Sequence, residues 1–369
     1  VTIIKIKIDK IISSGDGLGF LDGKAHFVPQ ALPNEIVEVQ VIENKKGFNR
    51  CKLLNIIKAS EFRTEPICKY YNICGGCNMQ HTIYNNQITI KKDIIQDIFR
   101  RNGKIELEDF EFVESKDINY RNRIQLHRGN SGIGFKRRQS NEVVEINNCP
   151  LLVEKLNHFI LNKSYPNENK ITLFSNGINH FIGGKDSEAH AKILNKDIYF
   201  NPGGFFQSNI SILPKLIDLV NRYVVGPRVM DLYCGVGLFS AFLPESIQSI
   251  VAVELDSRVK PFIDRNTNGR NITFFPMSLE EYILRGEHEK SIIDTIIVDP
   301  PRKGLSDEVR NFLKHISCKR VIYISCDPTT MARDIKDLNE HGYKLIEFKC
   351  LDFYPNTNHI ESFGVLDFE

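Results

Sequence analysis

The chain has 369 residues, 41% of them hydrophobic, with 48 Lys and Arg against 46 Asp and Glu and a formal net charge of +2. That length predicts two or three domains with cores of their own. No apolar run reaches the roughly 18 residues of a membrane helix, and a charge so near neutral leaves any nucleic-acid partner to be recognised by local clusters. The opening stretch, VTIIKIKIDKII, lacks the positive-then-apolar layout and cleavage site of a signal peptide. A cytoplasmic protein with no membrane partner is therefore expected. In such a reducing compartment, nine cysteines favour metal ligation and catalysis over disulfides.

Residues 1–60 read as all-β. VTIIKIKI alternates, Ser13–Gly19 is a glycine-rich turn, and AHFVPQAL, EIVEVQVIENK and CKLLNII give further short strands with a turn at Pro33-Asn34. The spacing predicts a five-stranded barrel of the oligonucleotide-binding type; the plainer reading is a small β cap without a ligand. The layout GDGLG followed by FVPQALPNE resembles the TRAM domain, which implies an RNA-binding barrel.

Residues 61–200 form the second expected domain. Cys68, Cys74 and Cys77 follow the pattern C-x5-C-x2-C with glycines between the last two, and Cys149 in Asn-Asn-Cys-Pro is the candidate fourth thiolate. Glycine lets a chain wrap tightly around a bound centre, and four thiolates suit either an iron–sulfur cluster or structural zinc. Residues 84–102 carry a helical apolar period that stops at Gly103. From 118 to 138 the pattern is a hairpin holding Arg121, Arg123, Arg128, Lys136, Arg137 and Arg138 without an acid. Such a face suits phosphates, against the plainer reading of a solvated surface. A helix at 151–162 and strands over 171–199, with turns at Gly177 and Gly183-Gly184, complete an α+β domain.

Residues 201–369 change character. After the glycine- and aromatic-rich Phe200–Asn209 come helices at 211–223, 257–268, 279–285, 306–316 and 329–340. Strands alternate with them at RVMDLY, SIVAVEL, ITFFP, TIIVD and VIYIS, and two more follow near 343–353 and 361–367. This is a doubly wound parallel sheet with an antiparallel end, in which chemistry gathers at the carboxyl edge. Three strand ends supply it: DLYCGVG (231–237), VDPPRKG (298–304) and SCDP (325–328). The glycine loop departs from the dinucleotide fingerprint, since position 240 is Ser. With Asp231 before the glycines and Glu254 ending the next strand, where an acid accepts from ribose hydroxyls, the pair suits S-adenosylmethionine.

Cys326 alone is more simply read as an inert core thiol. Beside a methyl-donor loop it has a use. A pyrimidine C5 is a poor nucleophile. Addition of a thiolate to C6 pushes electron density onto C5, C5 takes the methyl group, a base removes the C5 proton, and elimination frees the enzyme. Glu361 in His-Ile-Glu is the candidate base, Asp299 an orienting acid, and Phe205 a support for a base that has left its stack.

These residues resemble the RNA uridine C5-methyltransferases, in particular the iron–sulfur branch that acts on 23S ribosomal RNA. The likeness covers nearly the whole chain: the TRAM-like start, Cys68, Cys74, Cys77, Cys149, FFQSN at 205–209, DLYCGVG, VDPPRKG, SCDP and HIES. It implies a barrel, a cluster-bearing central domain and a Rossmann-like catalytic domain, with helix 84–102 packed on the last of these. It further implies a [4Fe–4S] cluster on the four cysteines, with zinc the lesser alternative. Gln207, Tyr233, Glu254 and Asp299 would line the S-adenosylmethionine pocket, together with Asp231, Gly235, Gly237 and Ser278. Cys326 would be the nucleophile and Glu361 the base, in a monomer whose partner is 23S rRNA. Related tRNA enzymes generally lack the four-cysteine site, so its presence favours ribosomal RNA. Leu238 and Ser278 depart from the family pattern. The alternatives are a tRNA uridine methyltransferase, an enzyme of both RNAs, or an RNA-binding assembly factor with a non-catalytic methyltransferase domain. A radical role for the cluster is set aside, because Cys149 fills the position such an enzyme leaves open.

Overall fold

Alternation of apolar residues, broken by glycine and Pro-Asn turns, builds the first 60 residues into a six-stranded antiparallel-rich sheet. Its order is Ile3–Lys7, Ile36–Asn44, Phe48–Lys58, Lys24–Pro29, Asp16–Leu21, Lys10–Ile11. The two edge strands are consecutive in the chain, and Asp9 between them donates its N–H to the Leu18 carbonyl at 2.8 Å, so one bent stretch serves both edges and closes a barrel. That bend is why there are six strands where periodicity predicts five. Inside lie Ile6, Ile8, Val28, Ala31, Val37, Val39 and Cys51. Gly19 is required by close approach: a Cβ there would lie 2.2 Å from the Lys7 carbonyl oxygen.

The computed structural model describes residues 2–162, 165–287 and 292–369, and divides into two units. One comprises Val1–Ile95, His127–Pro150 and Tyr354–Asn358; the other comprises Gln96–Leu126, Leu151–Phe353 and His359–Glu369. In the first, the buried Glu35 carboxylate accepts the Arg63 guanidinium at 2.5 and 2.7 Å and the N–H groups of Leu32 and Ser60. This ties the cysteine-bearing segment to the barrel. The Tyr354–Asn358 segment is held by side chains of the same unit. Gln87 and Asn356 exchange hydrogen bonds at 2.8 and 3.1 Å, the buried Lys91 donates to the Tyr354 carbonyl, and Asn78 pairs with Asn358.

In the second unit the eight-stranded sheet runs Ile272–Phe275, Ser249–Val253, Arg228–Leu232, Thr295–Val298, Arg320–Ser325, Glu361–Phe368, Tyr343–Leu351, Glu111–Val113. The first five are parallel, and all but the edge strand Ile272–Phe275 are largely buried, as apolar runs such as SIVAV and TIIV require. Glu361–Phe368 enters antiparallel between Arg320–Ser325 and Tyr343–Leu351. The three-residue strand Glu111–Val113 carries no legible period and is an addition to the expected elements. The helix predicted over 84–102 is α-helical over Tyr84–Ile98 and ends in a π turn, Phe99–Gly103, where Phe99 packs edge-on against Phe348 at 4.7 Å. Among the described residues no helix is long and apolar enough to cross a membrane.

Candidate active site

The parallel strands all end at one edge, and the order of connection reverses on either side of Arg228–Leu232, which opens a crevice there. The loop that follows turns through three left-handed residues, Tyr233 (φ 59°), Gly235 (φ 53°) and Gly237 (φ 76°). Asp231 lies beneath it, buried, and accepts both the Ser240 hydroxyl (2.6 Å) and its N–H (3.2 Å). The Glu254 carboxylate ends the neighbouring strand and accepts the N–H groups of Gly235 (3.1 Å) and Asp256 (2.9 Å). A Cβ on Gly235 would meet no atom within 4 Å, so there is open room above the loop. Ser278 caps the Leu279–Leu284 helix by accepting the Glu281 N–H.

The Phe200–Asn209 loop is pinned at both ends. Phe206 is buried in a face-to-face stack on Phe200, with centroids 3.8 Å apart, and Asn209 donates to the Ser115 hydroxyl and the Phe353 carbonyl. Gln207 is half-buried between them, while Phe205 is 75% exposed.

Cys326 follows the last residue of Arg320–Ser325, and Glu361 opens the antiparallel strand beside it. Ser325 is paired with Ser362, so the next step along the register sets Cys326 against Glu361. A parallel strand would have put the first residue at the opposite edge of the sheet; reversal of this one strand brings the acid to the thiol. Asp299 follows the adjacent strand, Thr295–Val298.

Three carboxyl groups on one rim, Asp231, Asp299 and Glu361, are held toward their neutral forms, by burial first and by neighbouring acids second. Burial pushes Asp231 up to about 6 against its Ser240 hydrogen bonds. Asp299 keeps some surface open to solvent, yet burial, with Asp231 second, pushes it up to about 7. Glu361 is 5% exposed and raised well above the usual range by burial first and Asp299 second, with Arg302 opposing. Burial, Glu361 and Asp299 push the Cys326 thiol up to about 11, and Arg302 again opposes. The RKG segment of the Asp-Pro-Pro motif thus contains a cation that acts on both groups, a role the motif alone did not suggest.

The predicted basic hairpin is less bare than its sequence. Arg137 pairs with Glu142 and Arg138 with Asp16, each at 2.8 Å, and Lys136 donates to Asn141. Arg123 donates to the Gly204 carbonyl at 2.5 Å, holding the aromatic loop, and Arg121 donates to the Arg123 carbonyl. Arg121 and Arg123 belong to one unit; Arg128, Lys136, Arg137 and Arg138 belong to the other.

The metal expectation is corrected. Among the described residues no three His, Cys, Asp or Glu side chains come together in a group that can hold a metal ion. The residues around Cys68, Cys74 and Cys77 form turns closed by protein hydrogen bonds. Cys68 donates its N–H to Gln80, Tyr70 accepts the N–H of Cys74, and the Cys74 sulfur accepts the Gly76 N–H at 3.4 Å. The half-buried Cys68, Cys74, Cys77 and Cys149 therefore do not fit a [4Fe–4S] cluster or a zinc ion.

A family profile described as tRNA (Uracil-5-)-methyltransferase matches residues 185–368, and the TRAM domain profile matches residues 1–54. An uncharacterized RNA methyltransferase of Treponema denticola is 31% identical, with 98% of each chain covered. A 23S rRNA (uracil(1939)-C(5))-methyltransferase of Aliivibrio fischeri is 28% identical over 98% of this chain and 95% of its own. Among solved structures, the Pyrococcus abyssi tRNA (uracil-54, C5)-methyltransferase in complex with S-adenosyl-L-homocysteine superposes with a TM-score of 0.76. It covers 98% of this chain and 100% of its own at 24% identity, a likeness of fold alone.

Proposed function

The chain belongs to the RNA uracil-C5 methyltransferases that carry a TRAM domain, and on that premise we propose that it methylates C5 of a uridine in a structured RNA through a covalent bond from Cys326 to C6. The observation that supports this reading is the meeting of Cys326 and Glu361 at one sheet edge through the antiparallel register. Glu254, Asp231, Gly235 and Gly237 give the donor loop its shape, and Gln207, Tyr233, Asp299 and Ser278 complete the residues assigned to the cofactor. S-adenosylmethionine supplies, when bound, the methyl group and a positive charge beside these acids.

The residues' own work follows in order. Cys326 gives up its proton to solvent water and its sulfur bonds to C6, which moves electron density to C5. C5 is then alkylated. Glu361, as carboxylate, takes the C5 proton. The electrons left at C5 restore the C5–C6 double bond as the C6–S bond breaks, and the thiolate is regenerated. Burial serves both steps. A thiol kept neutral in the empty site avoids idle oxidation, and a carboxyl with a raised affinity for protons is a stronger base once ionised. Phe205, exposed on a pinned loop, is assigned to stack on the uracil or a neighbouring base. Arg121, Arg123, Arg128, Lys136, Arg137 and Arg138 are assigned to the RNA backbone, with the ion-paired members exchanging a carboxylate for a phosphate.

The preference for ribosomal RNA rested on the four-cysteine site and goes with it. Relatives named for 23S rRNA span nearly the whole chain, whereas the matching family profile is named for tRNA, so the substrate is read as uridine in one of these two RNAs. Incubation with methyl-labelled S-adenosylmethionine and, separately, unmodified 23S rRNA and tRNA tests this, with nuclease mapping of the label. Label at C5 of a uridine, lost in Cys326→Ala while RNA binding persists, is the expected result and names the RNA. No label in either RNA would refute the reading in favour of a binding factor.

A further inference from the structure

Arg333 and Asp334 lie in the Pro328–Asn339 helix, outside every motif given a role above. Asp334 is fully buried. Its Oδ2 accepts the Leu305 N–H at 2.9 Å and the Tyr323 hydroxyl at 2.7 Å. Its Oδ1 accepts Arg333 Nε at 2.8 Å and Nη2 at 2.7 Å, with Arg310 Nη1 at 3.4 Å. Arg333 Nη2 reaches on to the carbonyls of Lys303 (3.2 Å) and Leu305 (3.1 Å), and Arg310 also donates to Leu305 at 2.8 Å. Thr330 completes the set, with its hydroxyl 3.4 Å from the Arg302 carbonyl. The loop is drawn in so closely that a Cβ on Gly304, at φ +72°, would stand 2.7 Å from Asp334 Oδ2 and 2.8 Å from Arg333 Nη2.

The carbonyls of Arg302, Lys303 and Leu305 and the N–H of Leu305 are thus bolted to the helix that starts directly after Cys326. Asp327, next to the cysteine, caps that helix through the Thr329 N–H, and Tyr323 lies on the strand that delivers it. A surface loop needs no buried carboxylate or guanidinium fork to stay folded. A fork that spans two carbonyls and a carboxylate fixes position more tightly than a point charge does. The side chain in this loop that acts on the cysteine is Arg302, whose charge favours the thiolate.

We propose that Arg333 and Asp334 are positioning residues for the methyl-transfer reaction, locking the Pro301–Leu305 loop, and with it Arg302, in place at the sheet edge that carries Cys326. The proposal rests on the reading of Cys326 as nucleophile, but its test needs neither RNA nor methyl donor. Iodoacetamide alkylation of Cys326 is followed against pH by peptide mass spectrometry, with Cys68 and Cys149 as internal references.

The sign separates positioning from direct electrostatics. Asp334→Asn removes a negative charge, which by itself would ease thiol ionisation and speed alkylation; loss of the lock lets Arg302 withdraw and slows it. The expected result at pH 8.5 is alkylation of Cys326 about three- to tenfold slower, with the references unchanged, and Arg302→Gln shifting in the same direction. Arg333→Lys keeps the charge but cannot span both carbonyls and the carboxylate. It is expected to be slowed by about two- to fivefold, and as a half-exposed site it serves as the variant that keeps the fold. Unchanged or faster alkylation in Arg333→Lys and Asp334→Asn, or no shift in Arg302→Gln, would overturn the proposal. Slower alkylation in a protein that fails to methylate RNA would leave the positioning intact and refute only the assigned function.

Discussion

Asp299 is a group whose ionisation the fold opposes, and the cost can be read as stability. An ordinary aspartate ionises near 4; in the folded chain burial and Asp231 push Asp299 up to about 7. Below pH 4 the folded and unfolded chains hold this proton alike. Between about 4 and 7 the unfolded chain has released it and the folded chain has not, so stability falls as pH rises, and above 7 the loss is complete. Three pH units correspond to about 4 kcal/mol at most. Partial solvent access and the shared field of Glu361 reduce this to about 2 kcal/mol. Asp299→Asn removes the charge with little change of shape. It is therefore expected to be about as stable as the natural chain at pH 4.5 and about 2 kcal/mol more stable at pH 8, in urea unfolding of protein free of RNA and donor. Equal stabilities at both values, or a less stable variant at pH 8, would mean that the acids of this rim are solvated or paired and do not oppose one another.

Three further outcomes follow from the same contacts. Glu361→Gln should still form the Cys326 adduct and methylate C5 but fail to remove the C5 proton, so a methylated RNA–protein species resistant to denaturant accumulates on gels. Gly19→Ala sets a Cβ against the Lys7 carbonyl and should destabilise the barrel by about 2 kcal/mol in a thermal melt; unchanged melting would show that the strands have room to part. Glu35→Gln leaves a half-buried Arg63 without its carboxylate and should cost about 2–3 kcal/mol in urea unfolding, whereas Arg50→Gln, at an exposed pair, should cost well under 1 kcal/mol.

Local pattern determined a good deal here. Alternation in EIVEVQVI, the unbroken apolar run of TIIV, the glycines of DLYCGVG and the helical periods at 306–316 and 329–340 act over a few residues. Their consequences as strands, a glycine loop and helices could be read directly, to within two or three residues at each end. The carboxyl-edge placement of Asp231, Asp299 and Cys326 followed from the same rules, because in a parallel sheet each strand's end is also the site's rim.

What only the tertiary structure decided depends on partners distant in the chain. Glu361 reaches Cys326 because the last strand enters in reverse and in one register, and nothing within HIES encodes its neighbour. The raised proton affinities of Asp299 and Glu361 come from burial and from each other, which no motif records. The Arg333–Asp334 lock joins a helix to a loop some 30 residues earlier. The cysteine spacing was compatible with a metal site, but spacing sets only what the chain can reach; among the described residues the fold gathers no group of three such side chains that can hold a metal ion, and the turns at Cys68 and Cys74 are closed by protein hydrogen bonds. Sequence names the chemistry a side chain is capable of, and the fold, through register, burial and charge, selects which of those capabilities are brought together.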